Sequence, residues 1–141
     1  MSEAWGASFI KLDDKGRIIL PSKARSSFKE GTYLTRGQDQ CLFLFTKTQF
    51  DTYREHNRTQ APPGMPAIAF DRVFFSSVVP QDPDKQGRIS IPTSLREYAG
   101  LTRELAVIGM EQRMEIWDAD RWQSYLDQYV EQYSQLQEGV R

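Results

Sequence analysis

Short stretches of this chain alternate apolar and polar positions, and turn-forming residues close each one. In the run 7–12, Ile10 and Leu12 alternate with Lys11, which predicts a strand. Asp13 to Gly16 is turn chemistry. Two Asp side chains can bond to nearby backbone, and Gly16 allows positive φ. Arg17-Ile18-Ile19-Leu20 is β-branched and predicts a second strand. The two runs together predict a hairpin with Lys15 and Arg17 at or beside its tip. Pro21 cannot donate to a ladder and ends the strand. Ser22 is the expected cap of a short helix through Phe28. Residues 31–36 then read as a strand, 37–40 as a turn and 41–45 as an apolar strand. Thr46 and Gln49 have the spacing of a capping box, for a helix through about His56.

The same order recurs. Asp84-Lys85-Gln86-Gly87-Arg88-Ile89-Ser90-Ile91-Pro92 repeats Asp13-Asp14-Lys15-Gly16-Arg17-Ile18-Ile19-Leu20-Pro21 at an offset of 71 residues, and Arg96 falls on Arg25. With one residue added, Gly109, Gln112, Trp117, Trp122 and Tyr125 fall on Gly37, Gln40, Phe45, Phe50 and Tyr53. A colinear series of this kind marks an internal duplication. The expected organisation is a first half at 7–56, a linker at 57–69 rich in proline, and a second half at 78–135. The two halves form one compact domain.

In the second half, Thr93 or Ser94 is the expected helix cap, with Glu97 as its box partner and Gly100 as the stop. Strands follow at 105–108 and 114–117. Pro66 can open a further helix carrying Phe70, Val73 and Phe74 on one side. Asp118 or Asp120 starts the last helix. There Trp122, Tyr125, Leu126, Tyr129, Val130, Tyr133 and Leu136 follow the spacing of one apolar face. Such a face is ordinarily core; the alternative is a contact between subunits.

Composition narrows the function classes. Hydrophobic residues at 39% and aromatics at 12% fit a globular fold. No apolar run reaches the ~20 residues needed to cross a bilayer, and the first residues lack the pattern of a secretory signal. A lone Cys41 excludes an intrachain disulfide and fits a reducing compartment. A cytoplasmic protein is expected, with no membrane partner. Net charge is -1, yet residues 1–36 hold seven Lys/Arg against four Asp/Glu, and residues 111–141 hold three against seven. Such asymmetry fits a local anion-binding face or an ordinary solvated surface.

An enzyme finds little support. His56 is the only histidine, and no phosphate loop, metal cluster or nucleophile elbow is present. Asp13 and Asp84 could pair as carboxylates, but each has Lys and Arg beside it, which favours ion pairing. No cofactor, metal or small-molecule ligand is expected.

The repeated tip is the candidate site. Arg17 and Arg88, on tight glycine turns at Gly16 and Gly87, suit contacts to phosphates or base edges. Arginine reads guanine O6 and N7 bidentately, and a two-stranded ribbon enters the major groove. Asp13 and Asp84 could fix the arginines by charge-assisted bonds. A purely structural Asp–Arg clamp fits the same spacing.

With Leu12 to Arg17, Pro21 and Arg25, joined by Asp84 to Ile89, Pro92, Leu95-Arg96, Tyr98 to Leu101 and Gly109 to Trp117, the chain resembles the MraZ family over about residues 6–130. One copy of the motif alone would also fit the wider AbrB-like group of DNA-binding proteins. The resemblance implies a mainly β fold with helices (α+β), a duplicated AbrB-like swapped-hairpin barrel built within one chain. It implies a transcriptional regulator, associated with the nucleoid, that forms ring-shaped homo-oligomers. Such a regulator binds short direct repeats in double-stranded DNA upstream of its own operon, the division and cell-wall gene cluster. By this resemblance Lys15, Arg17, Lys85 and Arg88 contact DNA, supported by Asp13, Gly16, Asp84 and Gly87. Gln86 stands where the first copy has Lys15, so the tips are not equivalent. The alternative on the same scaffold is an RNA-binding or scaffolding ring.

Overall fold

The computed structural model describes residues 5–57 and 63–137. Residues 58–62 of the expected linker and the chain ends lie outside them. The first repeat contributes β1 (Gly6–Lys11), β2 (Arg17–Ile19), a 3-10 helix (Ser22–Phe28), β3 (Thr32–Arg36), β4 (Leu42–Phe45) and α1 (Lys47–Asn57). Then come α2 (Ala67–Phe75), β5 (Val79–Gln81), β6 (Arg88–Ser90), α3 (Thr93–Ala99), β7 (Glu104–Gly109), β8 (Met114–Asp118) and α4 (Ala119–Ser134).

The strands form a six-stranded sheet in the order β1-β7-β8-β4-β3-β5 and a separate two-stranded ribbon, β2-β6. Every described pairing is antiparallel. The expected hairpin of β1 with β2 does not form. β1 pairs with β7, Phe9 opposite Ala106, while β2 pairs with β6, Ile18 opposite Ile89. On the other side, β5 pairs with β3, Leu34 opposite Val79. Each repeat thus lends its first strand to the other. The turn at Asp13–Gly16 is tight, as expected, but the chain leaves it into a different sheet.

The barrel expected from the resemblance is not closed. β1 and β5 are the two edges of the large sheet. Pro80 lies within β5, opposite Tyr33, and lacks the N–H that a further strand would need there.

Side chains alternate between two cores, one on each face of the sheet. Leu34, Leu42, Leu44, Leu105, Val107, Met114 and Ile116 face a core closed by Ile18 and Ile89 of the ribbon, by Ala24 and Phe28 of the 3-10 helix, and by Leu95 and Ala99 of α3. Phe43, Phe45, Ala106 and Trp117 face a second core, covered by Phe50 and Tyr53 of α1, Phe74 of α2, and Trp122 and Tyr125 of α4. This is why β4 is buried along its whole length. Glu115 is also buried, and its charge is compensated. Arg113 donates Nε and Nη2 to Oε2 at 3.0 and 2.7 Å, and Trp117 Nε1 donates to Oε1 at 3.1 Å.

Local chemistry sets several helix ends. Thr46 and Gln49 make the expected capping box, each backbone N–H donating to the other's side-chain oxygen at 3.0 and 3.1 Å. Gly100 ends α3 in the left-handed region at φ 62°. The hydroxyl caps do not form. Pro21 and Pro92 occupy the N-cap positions of the 3-10 helix and α3 with no side-chain bond. Asp118 precedes α4, but its carboxylate accepts from the backbone N–H and hydroxyl of Thr102 at 3.0 and 2.7 Å.

The apolar face of α4 is only half core. Trp122 and Tyr125 pack on Trp117 with centroids 5.5 and 4.9 Å away. Beyond them Tyr129, Val130, Tyr133 and Leu136 are exposed, Tyr133 at 72%. α4 is 16 residues, ~24 Å, long, and Leu136 follows its end.

Candidate nucleic-acid interface

The β2-β6 ribbon has one face inward and one outward. Ile18 and Ile89 are directly opposite and each is 1% exposed. The period of two therefore sends Arg17 and Ile19 of one strand to the outer face, with Ser90 and Arg88 of the other opposite them. Arg17 is opposite Ser90, and Arg88 is opposite Ile19. The two arginines are diagonal neighbours, about 7–8 Å apart at their backbones. Because the strands are antiparallel, the two turns lie at opposite ends of the ribbon, with exposed Lys15 at one end and Lys85 at the other. Ile19, 47% exposed, lies between the arginines.

Each turn is built around one aspartate. Asp13 Oδ1 accepts the backbone N–H of Lys15 and of Arg17, both at 2.8 Å. Its Oδ2 accepts Arg17 Nε at 2.9 Å. Asp84 repeats the pattern with the N–H of Gln86 and Arg88, both at 2.9 Å, and with Arg88 Nε at 2.7 Å. Backbone bonds close both loops, Asp13 N–H to the Arg17 carbonyl and Gly16 N–H to that of Asp13, with counterparts at Asp84 and Gly87. Clamp and reader are therefore compatible roles. The Nε of each guanidinium is held, and its terminal nitrogens take no part in that bond.

There the two tips differ. Arg88 Nη2 donates to Gln86 Oε1 at 3.2 Å. Arg17 has Lys15 at the matching position, and its terminal nitrogens have no hydrogen-bond partner among the described residues. The fork of Arg17 is open; that of Arg88 is partly engaged.

The carboxylates of Asp13 and Asp84 are held below the ordinary range, first by the backbone N–H of Arg17 and of Arg88, with the guanidinium bond a smaller cause. A lowered folded-state value makes the contribution of each turn fully present above the unfolded-state value of about 3.9 and lost as pH falls through the lower folded-state value. In an NMR titration both carboxyls should titrate below a free aspartate. In Arg17→Ala, Asp13 should still do so, because residue 17 keeps its N–H. A full return to the free value would assign the shift to the guanidinium instead.

Gly16 and Gly87 have φ of +77° and +79°. A Cβ on Gly16 would collide with Arg96 Nη1, and one on Gly87 would lie 2.9 Å from Arg25 Nε. Gly16→Ala should lose about 1–2 kcal/mol from the backbone alone, lowering Tm by at least about 3 °C in a thermal melt. An unchanged Tm would mean the turn can relax. Arg25 and Arg96 are the residues at this site to which the spacing assigned no role. Their signal in the sequence is the shared offset of 71.

Other candidates stay apart. Asp13 and Asp84, considered as a carboxylate pair, lie at opposite ends of the ribbon, each with its own arginine. His56 lies near the end of α1, far along the chain from either turn. Cys41 is buried, and burial pushes its thiol well up. Among the described residues no Cys, His, Asp and Glu side chains cluster as metal ligands, and no helix is long and apolar enough to cross a membrane.

Both repeats of the chain fall within the match of a known family. A family model described as "MraZ protein, putative antitoxin-like" covers residues 4–62 and 74–138. The chain belongs to the MraZ family. A relative from Frankia alni is 45% identical over 135 residues, covering 96% of this chain and 94% of its own length. One from Kocuria rhizophila is 49% identical over 130 residues, covering 92% and 91%. Both are named "Transcriptional regulator MraZ", a regulatory and not an enzymatic designation.

Proposed function

We propose that the protein is a DNA-binding transcriptional regulator that reads double-stranded DNA with the outer face of its β2-β6 ribbon. The observation that carries this reading is the open guanidinium of Arg17, anchored at Nε to Asp13 and set on the same exposed face as Arg88. A two-stranded ribbon fits the major groove, and a planar fork suits guanine. Lys15 and Lys85 extend the contact to phosphates at the two ends, and Asp13, Gly16, Asp84 and Gly87 hold the turns. Relatives over nearly the whole chain carry the regulator's name. The two repeats, 7–56 and 78–135, act as one reading unit, because each ribbon strand comes from a different repeat.

By its family resemblance the target is a set of short direct repeats upstream of the protein's own operon in the division and cell-wall gene cluster, read by a nucleoid-associated homo-oligomeric ring. The test is a gel-shift titration with that upstream region as duplex DNA, at several salt concentrations. Binding should fall steeply with salt and exceed binding to a shuffled duplex by at least about 10³-fold. Equal binding to both duplexes would overturn the reading. Preference for the RNA transcript of that region would favour the RNA-binding alternative.

A further inference from the structure

We infer that Arg25 and Arg96 are positioning residues that act crosswise, each holding the DNA-reading tip of the opposite repeat. The inference rests on the reading of the tips as DNA contacts and adds residues that do not lie on the ribbon.

Arg96 stands on α3 in the second repeat, four residues after Pro92. Its guanidinium nevertheless covers Gly16, in the turn of the first repeat, where any side chain would collide with it. Its Nη1 donates to the Ile91 carbonyl and its Nη2 to Thr93 Oγ1 at 2.9 Å. The N–H of that same Ile91 donates to the Gly16 carbonyl at 2.8 Å. A continuous path therefore runs from Arg96 through Ile91 to the turn that carries Arg17.

Arg25 does the reverse. It stands in the first repeat and covers Gly87 in the second, with its Cδ and Nε 3.1 and 2.9 Å from where a Cβ would be. Its Nε donates to the Leu20 carbonyl at 3.0 Å, and Leu20 N–H donates to the Gly87 carbonyl at 2.9 Å. Two corresponding paths related by the 71-residue offset, through Arg96 Nη1 in one and Arg25 Nε in the other, make this a feature of the duplication and not one chance contact.

The physical reason is access. Glycine at positive φ leaves the backbone bare on one side. An arginine stem and planar head can lie flat across it, excluding water from the turn while bonding to the carbonyl behind. The aspartate fixes the turn from inside, and the opposite arginine fixes it from outside. A tip held on both sides loses less freedom on meeting DNA, so its contact is stronger for the same bonds.

The experiment is a pair of double-mutant cycles on the full chain, read by fluorescence anisotropy with the upstream duplex. Arg96→Ala should weaken binding about five-fold or more, within the range of a lost base contact. At low salt, where Arg17→Ala still binds measurably, that loss should disappear in an Arg17→Ala background and persist in an Arg88→Ala background. Arg25→Ala should couple to Arg88 and not to Arg17. The salt slope should stay unchanged in both single variants, since no phosphate contact is lost. Hydrogen exchange gives a readout without DNA. Arg96→Ala should speed exchange at the Lys15, Gly16 and Arg17 amides, and Arg25→Ala at Gln86, Gly87 and Arg88. If an alanine variant does not fold, the lysine variant, which keeps stem and charge but loses the fork, carries the same cycle.

Additive losses with a salt slope reduced by about one would make these arginines direct phosphate contacts and overturn the inference. Coupling within one repeat, Arg25 with Arg17, would overturn it as well. Crossed exchange effects combined with normal DNA binding by Arg17→Ala would leave the crosswise support standing and overturn the reading of the tips.

Discussion

Arg17→Ala should leave the protein folded and nearly abolish its hold on operator DNA. The turn does not depend on the guanidinium. Asp13 keeps the N–H of Lys15 and of residue 17, and the loop keeps both of its backbone bonds. The lost Asp13–Arg17 pair is partly exposed, at 37% and 28% of the two side chains, and pairs of that kind contribute little to stability. Tm should hardly move. Binding loses a contact of about 1–3 kcal/mol for each tip engaged, and in an oligomer the loss repeats in every subunit on the DNA. Arg88→Ala should cost less, because Gln86 already engages one of its terminal nitrogens and Lys15 has no equal beside it. Arg17→Lys keeps the charge without the fork, so base reading should suffer more than phosphate contact. A melt and an anisotropy titration on each variant decide the matter. Unfolding of Arg17→Ala, together with operator recognition by a folded double mutant at Arg17 and Arg88, would reduce the pair to a structural clamp.

Duplexes with three boxes should bind about 10²–10⁴-fold more tightly than duplexes with one. One protomer presents a single short ribbon with two arginines and two lysines, and its net charge of -1 gives little general attraction to DNA. Strong binding then requires several ribbons on one assembly, so that later contacts form at high effective concentration. The surface expected to form such an assembly is the distal face of α4, with Tyr129, Val130 and Tyr133, the side chain of Leu136 just past its end, and Ile68, Val73 and Phe75 of α2, all exposed in the single chain. Apolar patches of this kind on one small domain mark contact sites. Light scattering at micromolar concentration should give a multiple of 16.3 kDa. Tyr133→Glu should lower that mass and bring three-box affinity down toward that of one box. A monomeric wild type, or equal affinity for one and three boxes, would refute the prediction.

Much of the turn geometry at the candidate site was legible in the sequence. The spacing of Asp13, Gly16 and Arg17 announces a glycine turn with an aspartate bonded back to it, because those bonds span at most four residues. The second copy confirms the unit by repetition. The capping box at Thr46 and Gln49 and the stop at Gly100 were readable for the same reason. The hydroxyl caps failed because proline already set the backbone entering each helix. The open fork of Arg17 was not legible. Lys15 and Gln86 differ visibly in the sequence, but only the folded tip brings the Gln86 oxygen onto the guanidinium.

What the sequence by itself determined is local: where strands and helices run, where turns fall, which residues recur, and that the chain is a duplication. Partners belonged to the tertiary structure. Alternation in 7–12 and 17–20 says that each run is a strand but not that β1 joins β7 and β2 joins β6. Period two cannot tell one buried face from two, so the double core around β4 stayed hidden, as did the half of α4 that meets no core. The crossing of Arg25 and Arg96 lay beyond local reading too. Strand exchange joins residues as far apart as Leu34 with Val79, Ile18 with Ile89 and Gly6 with Gly109, and no rule of short period carries information over such distances. Only closure of both repeats on one shared sheet decides which tip each arginine supports.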